Sequence, residues 1–479
     1  MADFAAWIDA AERASALADR AGLEAEVRAE RFLDRSLSMV DGTLHEAKAV
    51  VGAGLGVRVH HRGRSGYAST TRPAPSELRR LVVEAARMAG TRPRTRGVRR
   101  ALAAPSAARG ATDADDDPEL DAKLEVLRRA TTAGRDAGKD VAASMASYRE
   151  RLGERFLLRT DGARARWEPR AVTLDVNVVS KSPQGLAKGR DFHGGSVDLR
   201  DFAGDHSPEA LAERAAHWAA ERIDARRPPA GRAGAVIDPL LAGVLAHESF
   251  GHLAEGDLVN SGWSMLAGKV GDRLGSRHAT IRDTGLPPQG AGGIALPFDD
   301  EGTPSREVTI LDRGKLAGFL HDRDTAAQDA GAPAGGTGNA RALDYRFAPI
   351  CRMRNTYVAA GDRTLEELLE ELRDGILACG STGGEARSDG NFMFTVVRAY
   401  RVERGEVAEP LRDVAILGHV LQFLRGIQAA GKELRILGGS HVNCGKFGQW
   451  PLPVAYGGPH LLVKGALFGG EGASWGRAA

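Results

Sequence analysis

The chain has 479 residues, room for two to four domains, and its 65 basic and 63 acidic side chains leave a formal charge of only +2. Such a balance gives no global electrostatic footprint for nucleic acid or an anionic membrane surface. Hydrophobic residues at 42% and charged residues at 27% describe a globular protein and exclude wholesale disorder, and the 60 glycines favour turns and a β-rich component. Three cysteines, Cys351, Cys379 and Cys444, are too few and too scattered for a disulfide framework and fit the reducing cytoplasm. The start, MADFAAWIDA, carries acid where a secretory leader needs base. The longest uncharged run, 447–463, is broken by prolines and glycines and falls short of the ~20 apolar residues that span a bilayer.

Helical spacing of Phe4, Trp7, Ile8, Ala11, Ala14 and Ala18 predicts a first helix over 4–20. A β-meander follows, turning at Asp41-Gly42 and Arg62-Gly63, and then a helix opens at Pro75-Ser76-Glu77. Residues 90–118 hold a run of arginines and then a run of aspartates. No aromatic interleaves the arginines, so the segment reads as a solvated connection whose halves neutralise one another. Beyond it, ERFLLRTDGARARWEP echoes the earlier ERFLDRSLSMVDG, and Ser207-Pro208-Glu209 repeats the helix start. Two meander-plus-helix units predict one α+β domain over 1–225. ARRPPAGRAG has linker composition, and a second, strand-rich domain, barrel-like or sandwich-like, is expected over 234–479. Helices are expected there at 239–256, 321–330, 364–374 and 419–429.

The chemistry concentrates in VIDPLLAGVLAHESFGHLAEGD, residues 236–257. Asp238 suits an N-cap, Pro239 the first helical position and Gly256 the end. The helix is apolar nearly all round, so it should be buried, and two imidazoles with a carboxylate inside it are costly unless paired or bound to metal. His247-Glu248-Ser249-Phe250-Gly251-His252 is one residue longer than the zinc-protease pattern H-E-x-x-H. On an ideal helix its histidines stand about 140° apart, too far to share an ion. A π-bulge placed at Gly251 would realign them. The same residues also suit a hydrogen-bonded pair of core histidines with Glu248 as their partner. If a metal is held, a third ligand is needed. Cys444 in the glycine-flanked SHVNCGKFGQ reads as a polar, accessible loop able to reach one, whereas Cys351 and Cys379 read as small buried hydrophobes.

HESFGHLAEGD, TGNARALDYRFAPICRMRNTYVAAGDRTLEEL, GNFMFTV and NCGKFGQWPLPVAYGGP, in this order, resemble the TldD side of the TldD/PmbA family, and the resemblance reaches over nearly the whole chain. It implies a two-domain α+β zinc metallopeptidase holding one Zn²⁺ per chain, with His247, His252 and Cys444 as ligands and Glu248 as catalytic base. It also implies a dimer, either of like chains or with a motif-less PmbA/TldE-like homologue. Leu253, Asn443 and the 90–118 segment depart from the usual family pattern.

The expected activity is hydrolysis of unfolded or short peptides. A family member redirected to amide cleavage in a peptide-like biosynthetic intermediate, and a non-catalytic regulator, are the alternatives. Glu255 and Asp257 suit either partners that orient an imidazole or plain helix-end charges. Lys446 and Gln449 suit either substrate contact or capping of their own loop, and His441 stands near enough to Cys444 to share such roles. Neither nucleic acid nor membrane is an expected partner.

Overall fold

Two successive meanders build the first sheet. The structure is a computed structural model that describes residues 4–92 and 119–470, apart from 184 and 229. Strands β1 (Glu24–Val40), β2 (Thr43–His61) and β3 (Arg64–Thr70) are followed by β4 (Val141–Arg159), β5 (Arg164–Trp167), β6 (Arg170–Ser182) and β7 (Gly185–Gly195). They lie in the order β3-β2-β1-β4-β6-β7, with β5 also on β4. Turn residues Asp41 and Gly42, and Arg62 and Gly63, all have positive φ, as tight two-residue hairpins demand.

The internal repeat becomes a near two-fold axis between β1 and β4. Glu30 stands opposite Arg155 and Arg31 opposite Glu154. The repeated Glu-Arg therefore meets itself in two reciprocal ion pairs, at 2.8 Å and 2.5 Å. Each meander has a helix before and after it: α1 (Phe4–Arg20) and α2 (Pro75–Met88), then α3 (Leu120–Asp136) and α4 (Pro208–Ile223). Helix α3 is absent from the sequence-based expectation, although the repeat calls for a counterpart of α1 at that place. The connection expected over 90–118 falls, from residue 93 on, outside the described residues. Helices α1 and α2 pack Trp7, Ala14, Leu78 and Leu81 on Val27, Leu55 and Val57, and α3 and α4 cover Leu37, Leu174 and Val176.

Beyond β8 (Gly231–Ile237) the strand-rich half contains a closed barrel. Strand β8 pairs with Leu461–Gly470, that with Val414–His419, that with Asn391–Glu403, that with Gly375–Ala386, and the last returns to β8. Closure leaves these strands no free edge. A second sheet of six strands ends on the hairpin Gln449–Gly458 and Arg435–Lys446, and the latter is its edge strand. Between barrel and sheet runs α5 (Pro239–Val244) with its continuation. Its Leu241, Val244, Leu245 and Phe250 share one buried core with Ile237, Phe392, Phe394 and Ile416. Among the described residues no helix is long and apolar enough to cross a membrane.

All four helices expected in the strand-rich half come out shorter, that at 364–374 narrowing to Leu365–Leu372. Residues 321–330 give only Arg323–Ala326, because the Asp322 carboxylate caps that turn and the His321 N–H is drawn to Thr337 Oγ1. Residues 419–429 give Val420–Gly426, after which Ile427–Ala430 joins the barrel strand 461–470. The helix expected over 239–256 ends at Ala254, since Glu255 is extended, and Gly256 opens a further short helix instead of closing this one.

The two halves are held by buried charge. Arg58 meets Glu301 at 2.5 Å and Asp324 at 2.6 Å, and Arg155 meets Asp300 at 2.6 Å. Helix α5 lies so close to strand 449–458 that a Cβ on Gly243 would stand 2.3 Å from the Gly457 nitrogen and 2.6 Å from its Cα. Backbone cannot move aside as a flexible side chain does. Gly243→Ala should therefore lower stability by about 1–3 kcal/mol despite alanine's better helix propensity, read as a shift of the denaturant midpoint at unchanged slope.

Candidate metal centre

Asp238 starts the site helix as an N-cap, its carboxylate accepting from the Leu241 N–H, with Pro239 in the first position. The helix is α-helical to Val244, widens into a π-helical stretch over Leu245–Gly251 and tightens to a 3-10 turn over His252–Ala254. At its end the His252 N–H donates to the His247 carbonyl, a bond that spans five residues. That widening brings the two imidazoles onto one side, ring centroids 5.2 Å apart and planes at 82°.

Cys444 completes the group from the edge strand. Its Sγ lies 3.3 Å from His252 Nε2, and donor atoms of His247, His252 and Cys444 all fall within 4.8 Å of one another. The strand, not a loop, carries it. Cys444 is 4% exposed and packs with Val442 and Val454. The glycines and polar residues around it mark bulges between Gly439 and Asn443 and between Cys444 and Lys446, where the strand bends. Cys351 and Cys379 are buried as expected, the former donating to the Leu320 carbonyl.

Electrostatics favour a metal here. Burial raises the Cys444 thiol, but the adjacent imidazoles, His252 foremost, outweigh it and bring the pKa down to about 5. Burial lowers His252, yet Glu255 and Cys444 hold it well above its ordinary value. His247 is fully buried, and neither Nδ1 nor Nε2 has a hydrogen-bond partner. An imidazole so placed costs about 1–3 kcal/mol unless a ligand answers it. A divalent ion of the zinc type would answer it, and a two-imidazole, one-thiolate donor set suits such an ion with a fourth position left open. Glu248 extends into the same space, 37% exposed, with Oε2 3.6 Å from His252 Nε2.

The surrounding residues sort differently from their sequence-based expectations. Glu255 orients an imidazole: its Oε2 accepts from His252 Nδ1 at 2.9 Å, which leaves Nε2 facing the sulfur. Lys446 neither meets the substrate space nor caps its own loop. Its buried ammonium donates to Glu255 at 3.0 Å, Asp257 at 2.6 Å and the Cys351 carbonyl at 2.9 Å. Burial alone would raise the Glu255 carboxyl, but Lys446 and His252 hold it at about 2. Asp257 thus serves the lysine and no imidazole. Gln449 is likewise turned inward, joining Leu343 and Ala348. His441 stands outside the donor group, its N–H on Thr173 Oγ1 and its ring toward Asp175. Sequence reading misses Tyr456, whose ring lies 5.6 Å from that of His247 and whose phenol is raised by burial and by the Glu248 charge. Only strand pairing brings it there, so no spacing signals it.

Three models of the PmbA/TldA metallopeptidase match the chain: domain 1 over 25–89, the central domain over 113–223 and the C-terminal domain over 230–470. A metalloprotease of Methanothermobacter thermautotrophicus is 33% identical across 93% of this chain and 95% of its own. The chain belongs to the PmbA/TldD metallopeptidase family. A zinc metalloprotease TldD homolog of Saccharolobus solfataricus is 38% identical across 51% of this chain and 53% of its own. In fold the chain is similar to TldE from Thermococcus kodakarensis, with a TM-score of 0.73 at 22% identity over 97% of this chain and all of that one. A Thermotoga maritima protein described as a candidate modulator of a DNA gyrase shares the fold at a TM-score of 0.74 and 20% identity, covering 96% of this chain and 100% of that one.

Replacing Lys446 by methionine would leave the Glu255 carboxylate buried without its cation. Breaking a buried pair from one side costs about 3–5 kcal/mol, so Lys446→Met should lower the unfolding free energy by that order. An unchanged thermal midpoint would show that the pair carries no stability.

Proposed function

We propose that the chain is a zinc-dependent peptidase acting on unfolded or short peptides. The observation that carries this reading is the buried, partnerless imidazole of His247, brought by the π-helical turn into one group with His252 and Cys444, while the Glu248 carboxylate beside them is the most exposed side chain of the four. When bound there, zinc would supply Lewis acidity toward a substrate carbonyl and acidity to water. The chain's own residues do the remaining work. His247, His252 and Cys444 would hold the ion, and Glu255 fixes the His252 ring. Glu248 Oε2 takes a proton from the attacking water and returns it to the departing amine.

Access favours extended chains. The donor-bearing helix lies between barrel and sheet, and the strand with Cys444 is the sheet's edge. A peptide in extended form can reach such a place and bond to it through its main chain with little sequence demand, whereas a folded domain cannot bring its backbone there. The assembly that belongs to this proposal is a dimer, with a second copy or with a motif-less homologue. Solution mass and co-purification decide between them.

Elemental analysis should find about one zinc per chain in the wild type and markedly less in Cys444→Ala. Equal zinc in both would remove Cys444 from the ligand set.

One protein offered in native and permanently unfolded forms should be cleaved only when unfolded. Glu248→Gln should keep its zinc and lose at least ~10²-fold in rate. Near-wild-type turnover in that variant would sink the mechanism, and equal cleavage of the two forms would rule out restricted access.

A further inference from the structure

The face of the first sheet that its helices leave uncovered is polar, and its register sets one cluster beside the candidate centre. Arg149 on β4 stands opposite Thr173 on β6, and Arg190 on β7 stands opposite Asn177, two residues on from Asp175. Lys188 follows on the same face as Arg190. The edge strand 435–446 lies against this cluster: the His441 N–H donates to Thr173 Oγ1 at 3.2 Å, and His441 Nε2 is 3.8 Å from Asp175 Oδ2. Arg190 bonds to Asp175 at 2.7 Å and lies over the Phe192 ring, which packs with Cys444 and Tyr456. The cluster therefore adjoins the donor group. His441 precedes Cys444 by three residues on the same strand.

Its charge is unbalanced. Asp175 is already taken by Arg190, and among the described residues no carboxylate pairs with Arg149, whose Nε is buried without a hydrogen-bond partner. His441 Nδ1 is orphaned in the same way. Burial above all keeps His441 uncharged, and Arg190, Arg149 and Lys188 act the same way against Asp175. Buried donors without acceptors beside a substrate space call for an anion, and a guanidinium is the side chain best shaped to take a carboxylate.

We propose that Arg149, with Lys188 and His441, forms a subsite for a carboxylate of the bound peptide, on the side of the centre where the edge strand 435–446 meets the first sheet. This rests on the peptidase reading above. It makes the protein selective for chains that end, or carry an acidic side chain, at that position.

Binding can test it apart from turnover. One labelled peptide is prepared with a free C-terminus, as the amide, and as the amide ending in aspartate, and each is titrated by anisotropy against the full-length Glu248→Gln protein. The free acid should bind about tenfold tighter than the amide. Adding Arg149→Gln should abolish the difference, and Arg149→Lys should keep part of it. Recovery of affinity by the aspartyl amide means that a side-chain carboxylate is accepted, and no recovery restricts the subsite to the chain terminus. Equal affinities for all three peptides, or a preference that survives Arg149→Gln, would overturn the subsite. Hydrolysis of the amide by the protein with Glu248 intact is measured in parallel. Its absence with zinc bound would count against the peptidase reading while the binding ratios still judge the subsite.

Discussion

The centre depends on one buried ammonium. Lys446 lies two residues beyond Cys444, and Glu255 lies three beyond His252, so their contact ties the strand that carries the sulfur to the helix that carries the imidazoles. Without it a carboxylate, an imidazole and a thiol would each face desolvation on separate elements. With it, Glu255 stays ionised, His252 is held in one tautomer, and the sulfur is kept within reach. Asp257 and the Cys351 carbonyl take the lysine's remaining donors, so its charge is fully answered.

Around that tie the fold trades regularity for placement. A straight α-helix would bury His247 and His252 on different sides, and the π-helical turn gives up regular bonding to bring them together. Gly251 lets Met353 pack against that turn, since a Cβ there would stand 2.1 Å from the Met353 sulfur. The barrel and the six-stranded sheet clamp the distorted helix from two sides, which is how a buried, irregular segment stays ordered.

Much of this is legible in the sequence because it follows from local periodicity. The i, i+5 histidines on an apolar helix need a wide turn if they are to share an ion, the Asp-Gly and Arg-Gly pairs fix the hairpins, and the repeated ERF motif foretells the paired meanders. The family resemblance adds the third donor. What escapes is set by contacts between distant segments. Glycines around Cys444 read as a loop, although Val442 and Cys444 face one apolar cluster as strand residues do. Lys446 reads as a substrate contact or a cap of its own loop, because its true partners stand 189 and 191 positions away in sequence. Helix α3 escapes for another reason: its apolar face is short, and only the symmetry of the repeat demands it.

The reciprocal ion pairs between β1 and β4 bear on how the chain folds. Glu30 and Arg155 are 125 positions apart, and Arg35 and Glu150 are 115 apart. The centre of the first sheet therefore forms only after a loop of that size has closed. Loop entropy grows slowly with length, yet it must be met before any long-range pair contributes, and such topologies fold slowly. The first meander's hairpins close over the two-residue turns at Asp41-Gly42 and Arg62-Gly63, so they need no such loop. Where the two meanders meet, the matched Glu-Arg steps select the correct register, because a slip by one residue would set like charges against each other.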